Sequence, residues 1–100
     1  MKEQVQLPIA YRQDIRRALT ILKEAGCSNV FLFGSLAAGR VKDGSDIDLA
    51  VRGCPKGQFF HLLGKLLLEL DHPVDLIDLD RQDAFAHYLE KEGELWTFKP

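Results

Sequence analysis

Phe31-Leu-Phe-Gly-Ser-Leu-Ala-Ala-Gly-Arg40, followed after Val41-Lys-Asp-Gly44 by Ser45-Asp-Ile-Asp-Leu-Ala-Val51, is the stretch on which the reading of this chain turns. Its first part is an apolar run, Val30 to Phe33, closing on Gly34 and Ser35, the pattern of a buried strand that enters a turn. Its second part alternates. Side chains along a strand repeat with period two, so Ile47, Leu49 and Val51 go to the core while Asp46, Asp48 and Ala50 share the opposite face.

Each half of the stretch suggests a chemistry. A glycine after a strand lets backbone approach a phosphate closely, and the N–H groups of a following helix, expected from Ser35 to Arg40, face the same anion. A Gly-Ser pair alone is usually only a turn. The aspartates say more, because like charges side by side on a strand repel unless a cation compensates them. Oxygen ligands without Cys or His favour Mg²⁺, or Mn²⁺, over zinc.

A third carboxylate is available in Pro73-Val74-Asp75-Leu76-Ile77-Asp78. Period two puts Asp75 and Asp78 on opposite faces, so only one can join Asp46 and Asp48. Asp75, set deep in the strand between Val74 and Leu76, is the preferred candidate, and Asp78 is assigned to the strand end or a cap. Three carboxylates on neighbouring strands can hold two metal ions, one for a triphosphate and one to activate a hydroxyl.

Working outward, Tyr11, Ile15, Ala18, Leu19, Leu22 and Ala25 recur at helical steps, and Gly26 caps the predicted helix. Phe59, Leu62, Leu63, Leu66, Leu67 and Leu70 mark a second helix over about 58–70, with Leu68 off its apolar face. A third strand is expected over 74–79. Asp80 and Asp83 signal the start of a last helix reaching about Glu92, with Phe85, Tyr88 and Leu89 as its buried stripe. Leu95, Trp96 and Phe98 suit either a partner surface or the core.

The 100 residues, 46% hydrophobic and 28% charged, describe one globular domain without repeats or linkers. Nothing approaches the roughly 18 apolar residues of a membrane span, and MKEQVQLPIA lacks the features of a signal peptide, so the expected compartment is cytoplasmic. A net charge of −2 offers no broad attraction for nucleic acid, and Arg12, Arg16 and Arg17 read as a solvated helix face. Cys27 and Cys54 match no zinc spacing and are expected to be free thiols. His61, His72 and His87 share no spacing with Asp or Cys, which assigns them to surface or capping roles.

Phe33-Gly34-Ser35, Ala37, Gly39 and Ser45-Asp46-Ile47-Asp48-Leu49 resemble the signature of the DNA polymerase beta-like nucleotidyltransferases, and within them the minimal nucleotidyltransferases, over nearly the whole chain. The resemblance implies an α/β (α+β) core with a mixed sheet packed against helices, residues 1–100 forming one minimal domain. It implies Mg²⁺-dependent transfer of a nucleoside monophosphate, AMP from ATP, to a hydroxyl with release of pyrophosphate. Gly34 and Ser35, with Arg40 and Ser45, would hold the nucleotide, while Asp46, Asp48 and Asp75 would be the metal-binding catalytic carboxylates. Proteins of this size are often paired with a HEPN ribonuclease toxin, which some adenylylate on tyrosine, as in type VII-like toxin–antitoxin systems. Leu36 departs from the pattern, since a basic or polar residue frequently follows Gly-Ser; Arg40 or Lys42 would then supply the charge.

The chain is short for recognising both nucleotide and acceptor, so a homo- or hetero-oligomeric partner is expected to complete the site. Two other readings stand beside the toxin-modifying one. The first is nucleotidyl transfer to a small molecule or an RNA end, and the second is a module that neutralises its partner by occlusion alone.

Overall fold

Which side of the sheet each helix covers follows from the alternation along its strands. The computed structural model describes residues 9–37, 39, 46–92 and 95–97. Its strands β1 (Asn29–Phe33), β2 (Ile47–Arg52), β3 (Val74–Asp78) and β4 (Trp96–Thr97) form a mixed sheet in the order β3-β2-β1-β4. β1 is antiparallel to both β2 and β4, whereas β2 runs parallel to β3. A parallel pair needs a crossover, which the helix α3 (Phe59–Glu69) provides.

Val30, Leu32, Ile47, Leu49, Val51, Val74 and Leu76 face the larger core, filled by Ile15, Ala18 and Leu22 of α1 (Ile9–Glu24) and by Leu62 and Leu66 of α3. Phe31, Phe33 and Ala50 face the other way. They meet Leu79 of a 3-10 turn (Leu79–Arg81), Ala86 and Leu89 of α4 (Ala84–Lys91), and Leu95. The short helix α2 (Gly34–Ala37) turns Leu36 and Ala37 into the larger core. No helix among the described residues is long and apolar enough to cross a membrane.

The mixed sheet and its helices match the expected fold, with local differences. α1 begins at Ile9, and Gly26, at φ +104°, closes it by donating to the Lys23 carbonyl while Cys27 N–H reaches Leu22. The expected last helix is divided: Asp78 accepts from Asp80 N–H to cap the 3-10 turn, and Asp83 accepts from Ala86 N–H to cap α4. Leu95 folds back into the core, and Trp96 pairs with Leu32 in β4, a strand the sequence did not announce.

Three expectations fail. Phe85 and Tyr88 are 45% and 54% exposed, because α4 buries only Ala86 and Leu89 against the sheet. Leu67 is also exposed, since α3 buries the narrower stripe of Leu62 and Leu66; Leu68 is exposed as expected. Finally, Cys27 and Cys54 form a disulfide instead of remaining free. The β1–β2 register pairs Asn29 with Arg52, and continuing it two residues outward sets Cys27 opposite Cys54, with Cα atoms 3.9 Å apart.

Candidate active site

Register brings the acidic residues together. Asp48 on β2 lies beside Asp75 on β3, and on its other side stands Phe33 of β1. Residues in one row across a sheet point to one face, so the row Asp75, Asp48, Phe33 lies on the α4 side, at the end of the sheet where β1 finishes and β2 begins. Asp46, exposed, directly precedes β2 at that end. Asp78 pairs with Val51 farther along the strands and is occupied with its cap, so the structure separates it from this row.

Asp75 is exposed and Asp48 is half-buried, which gives the two carboxylates different electrostatics. Burial pushes the Asp48 carboxyl up from 3.8 to about 6, and the negative charges of Asp75 and Asp46 add to that push. A divalent cation would reverse the balance, and an all-oxygen donor set suits Mg²⁺ or Mn²⁺. The fit lies in that unbalanced charge. Among the described residues no three His, Cys, Asp or Glu side chains lie close enough together to hold a metal ion between them.

Gly34 closes the site from the side of β1. Its φ of +78° favours glycine, and a Cβ there would lie 3.0 Å from Asp48 Cγ and run into the carboxylate. Glycine therefore lets the β1–α2 turn pass against Asp48, with half-buried Ser35 next in the chain. Leu36 is 1% exposed and contributes to the core, not to the site. Arg40, Ser45 and Lys42, expected to touch the nucleotide, lie outside the described residues.

Two clusters near these strands escaped the sequence reading. Asp14 of α1 is buried and accepts from Asp71 N–H at 3.1 Å, His72 N–H at 2.8 Å and the His72 ring Nδ1 at 2.8 Å. Burial pushes its carboxyl up, but those hydrogen bonds and the His72 charge outweigh burial and hold it below 3.8. Tyr11 stacks on His72 at 4.1 Å, and Pro73, the next residue, accepts from Ile47 N–H. Asp14 thus anchors the turn that starts β3 and, through it, the placement of Asp75. No local pattern marks a helix carboxylate that caps a turn 57 residues away.

The second cluster is aromatic. Phe33 meets Phe85 edge to face at 5.9 Å, and Phe85 lies nearly parallel to Tyr88 at 6.4 Å. Away from this site, Arg16 and Arg17 line a groove of about 400 Å³ between α1 and α3, where Arg17 pairs with Glu69 at 3.2 Å.

Comparison with known proteins identifies the family and supports the fold. The family model described as polymerase beta, nucleotidyltransferase matches residues 18–97. Among solved structures, a chain of the crystal structure of the toxin–antitoxin MntA-HepT superposes with a TM-score of 0.60 at 23% identity, over 85% of this chain and 68% of that one. No curated protein matches the sequence.

Proposed function

Because the chain belongs to the polymerase beta nucleotidyltransferase family, we propose that it transfers AMP from ATP, with Mg²⁺, to a tyrosine hydroxyl of a HEPN ribonuclease toxin and so acts as the antitoxin. One observation carries the catalytic part: the placement of Asp75 beside Asp48 on parallel strands, at the end where Gly34 turns past the same carboxylate. Asp46, Asp48 and Asp75 would hold the metal. When bound, Mg²⁺ supplies positive charge to the triphosphate and lowers the pKa of the attacking hydroxyl.

The protein's own groups then have separate tasks. Gly34 and Ser35 hold the phosphates beside the Asp48 carboxylate. Asp75, exposed at the outer edge of the carboxylate row, draws the proton from the acceptor hydroxyl. The new bond joins the acceptor oxygen to the α-phosphorus, the bond from that phosphorus to the bridging oxygen breaks, and pyrophosphate leaves with the electron pair.

The likeness to a chain of the toxin–antitoxin MntA-HepT supports a toxin as partner. The resemblance of the Gly-Ser and Asp-x-Asp motifs to minimal nucleotidyltransferases supports a HEPN ribonuclease and its tyrosine. Replacing Asp46→Asn and Asp48→Asn together separates chemistry from occlusion. Loss of neutralisation with toxin binding intact is the expected outcome, and retained neutralisation would make the protein an occluding module.

A further inference from the structure

We propose that Phe85 and Tyr88 of α4 form the platform on which the base of the nucleoside triphosphate stacks. The proposal rests on the nucleotidyltransferase reading and deepens it, since a minimal core has few other ways to hold a nucleoside. Among the described residues, the large apolar side chains left exposed fall into two sets. Ile9 on α1 and Phe60, Leu67 and Leu68 on α3 belong to the helices that cover the sheet face away from the carboxylates. Phe85 and Tyr88 alone belong to α4, on the carboxylate side.

Continuity connects this pair to the phosphate turn. Phe33 immediately precedes Gly34 and stands beside Asp48 in register. From its ring, steps of 5.9 Å to Phe85 and 6.4 Å to Tyr88 lead outward, within the span of one nucleoside triphosphate. Phe33 is buried, and its edge-to-face contact fixes Phe85; the Phe85 and Tyr88 rings lie within 12° of parallel and are each about half exposed. Such an orientation costs little further ordering when a flat ligand arrives.

The row order also decides which reactant the rings serve. Across the sheet it runs Asp75, Asp48, Phe33, so the aromatics flank the nucleotide side and stand away from Asp75, where the acceptor hydroxyl is activated. Stacking recognises the face common to all bases, so the platform binds a purine without choosing strongly between adenine and guanine.

The test is calorimetric titration of the full chain, with Mg²⁺, using ATP, GTP and inorganic tripolyphosphate. Tyr88 is exposed, so Tyr88→Ala folds, and Tyr88→Phe keeps the ring. Tyr88→Ala is expected to bind ATP roughly ten-fold more weakly and tripolyphosphate as wild type does, while Tyr88→Phe keeps wild-type affinity for both. Unchanged ATP affinity in Tyr88→Ala, or an equal loss for ATP and tripolyphosphate, overturns the platform and leaves the transferase reading in place. If a parallel titration with the proposed toxin shows that Tyr88→Ala loses only toxin binding, the surface belongs to a protein partner and the platform is again overturned. Wild-type protein that binds neither ATP nor tripolyphosphate overturns both.

Discussion

Replacing Asp48 with Asn should make the metal-free protein more stable at neutral pH while removing its capacity for chemistry. The folded-state value of about 6, against 3.8 for the ordinary side chain, means that an ionised Asp48 is held at a cost. A shift of about two units corresponds to at most ~3 kcal/mol, and solvent screening of a half-buried group reduces this to ~1–2 kcal/mol. The sign follows from proton counting. Between pH 3.8 and about 6 the folded protein binds more protons than the unfolded chain, so stability falls as pH rises through that window and the full cost applies above it. Asn carries no charge, so Asp48→Asn escapes the cost and gains ~1–2 kcal/mol at pH 8, about 4–8 °C in Tm per kcal/mol for a domain of this size. Urea denaturation of both proteins at pH 4 and pH 8 with a chelator present measures the difference. A gain at pH 8 that shrinks toward zero at pH 4 is expected. Equal stability at pH 8, or a difference independent of pH, refutes the argument that the carboxylate row is electrostatically strained.

Gly34→Ala forces a side chain to a positive φ and against Asp48, so it should cost ~1–3 kcal/mol in chemical denaturation and weaken ATP binding measured in the same preparation. Asp14→Ala leaves the Asp71 and His72 N–H groups without their acceptor and should cost about 1–3 kcal/mol near neutral pH. Because the Asp14 carboxyl is held below 3.8, its contribution is present above that pH and disappears on acidification, which a pH series of melts would follow. Cys27→Ser removes a cross-link between residues 27 apart in sequence and should lower stability by about 3 kcal/mol relative to the oxidised wild type, with no difference once the wild type is reduced.

The parts of the site that were legible in the sequence are those set by strand periodicity. Alternation from Ile47 to Val51 placed Asp48 on the face away from the larger core, and the same period separated Asp75 from Asp78. What adjacency in space decided was not legible. The disulfide depends on the β1–β2 register, which linear Cys spacing does not reveal, and Asp14 caps a turn from another helix. Phe85 and Tyr88 have the spacing of a buried stripe, yet an eight-residue helix resting on Ala86 and Leu89 leaves them half in solvent. The aromatic wall of the carboxylate face was therefore hidden in a pattern that ordinarily means core.

Intact-mass spectrometry of the proposed HEPN toxin partner, incubated with this protein, ATP and Mg²⁺, decides between nucleotidyl transfer and occlusion. The toxin is expected to gain the mass of AMP on a tyrosine, and Asp48→Asn or Asp75→Asn to abolish the gain while the toxin is still bound. A toxin of unchanged mass whose ribonuclease activity is nevertheless neutralised would contradict nucleotidyl transfer.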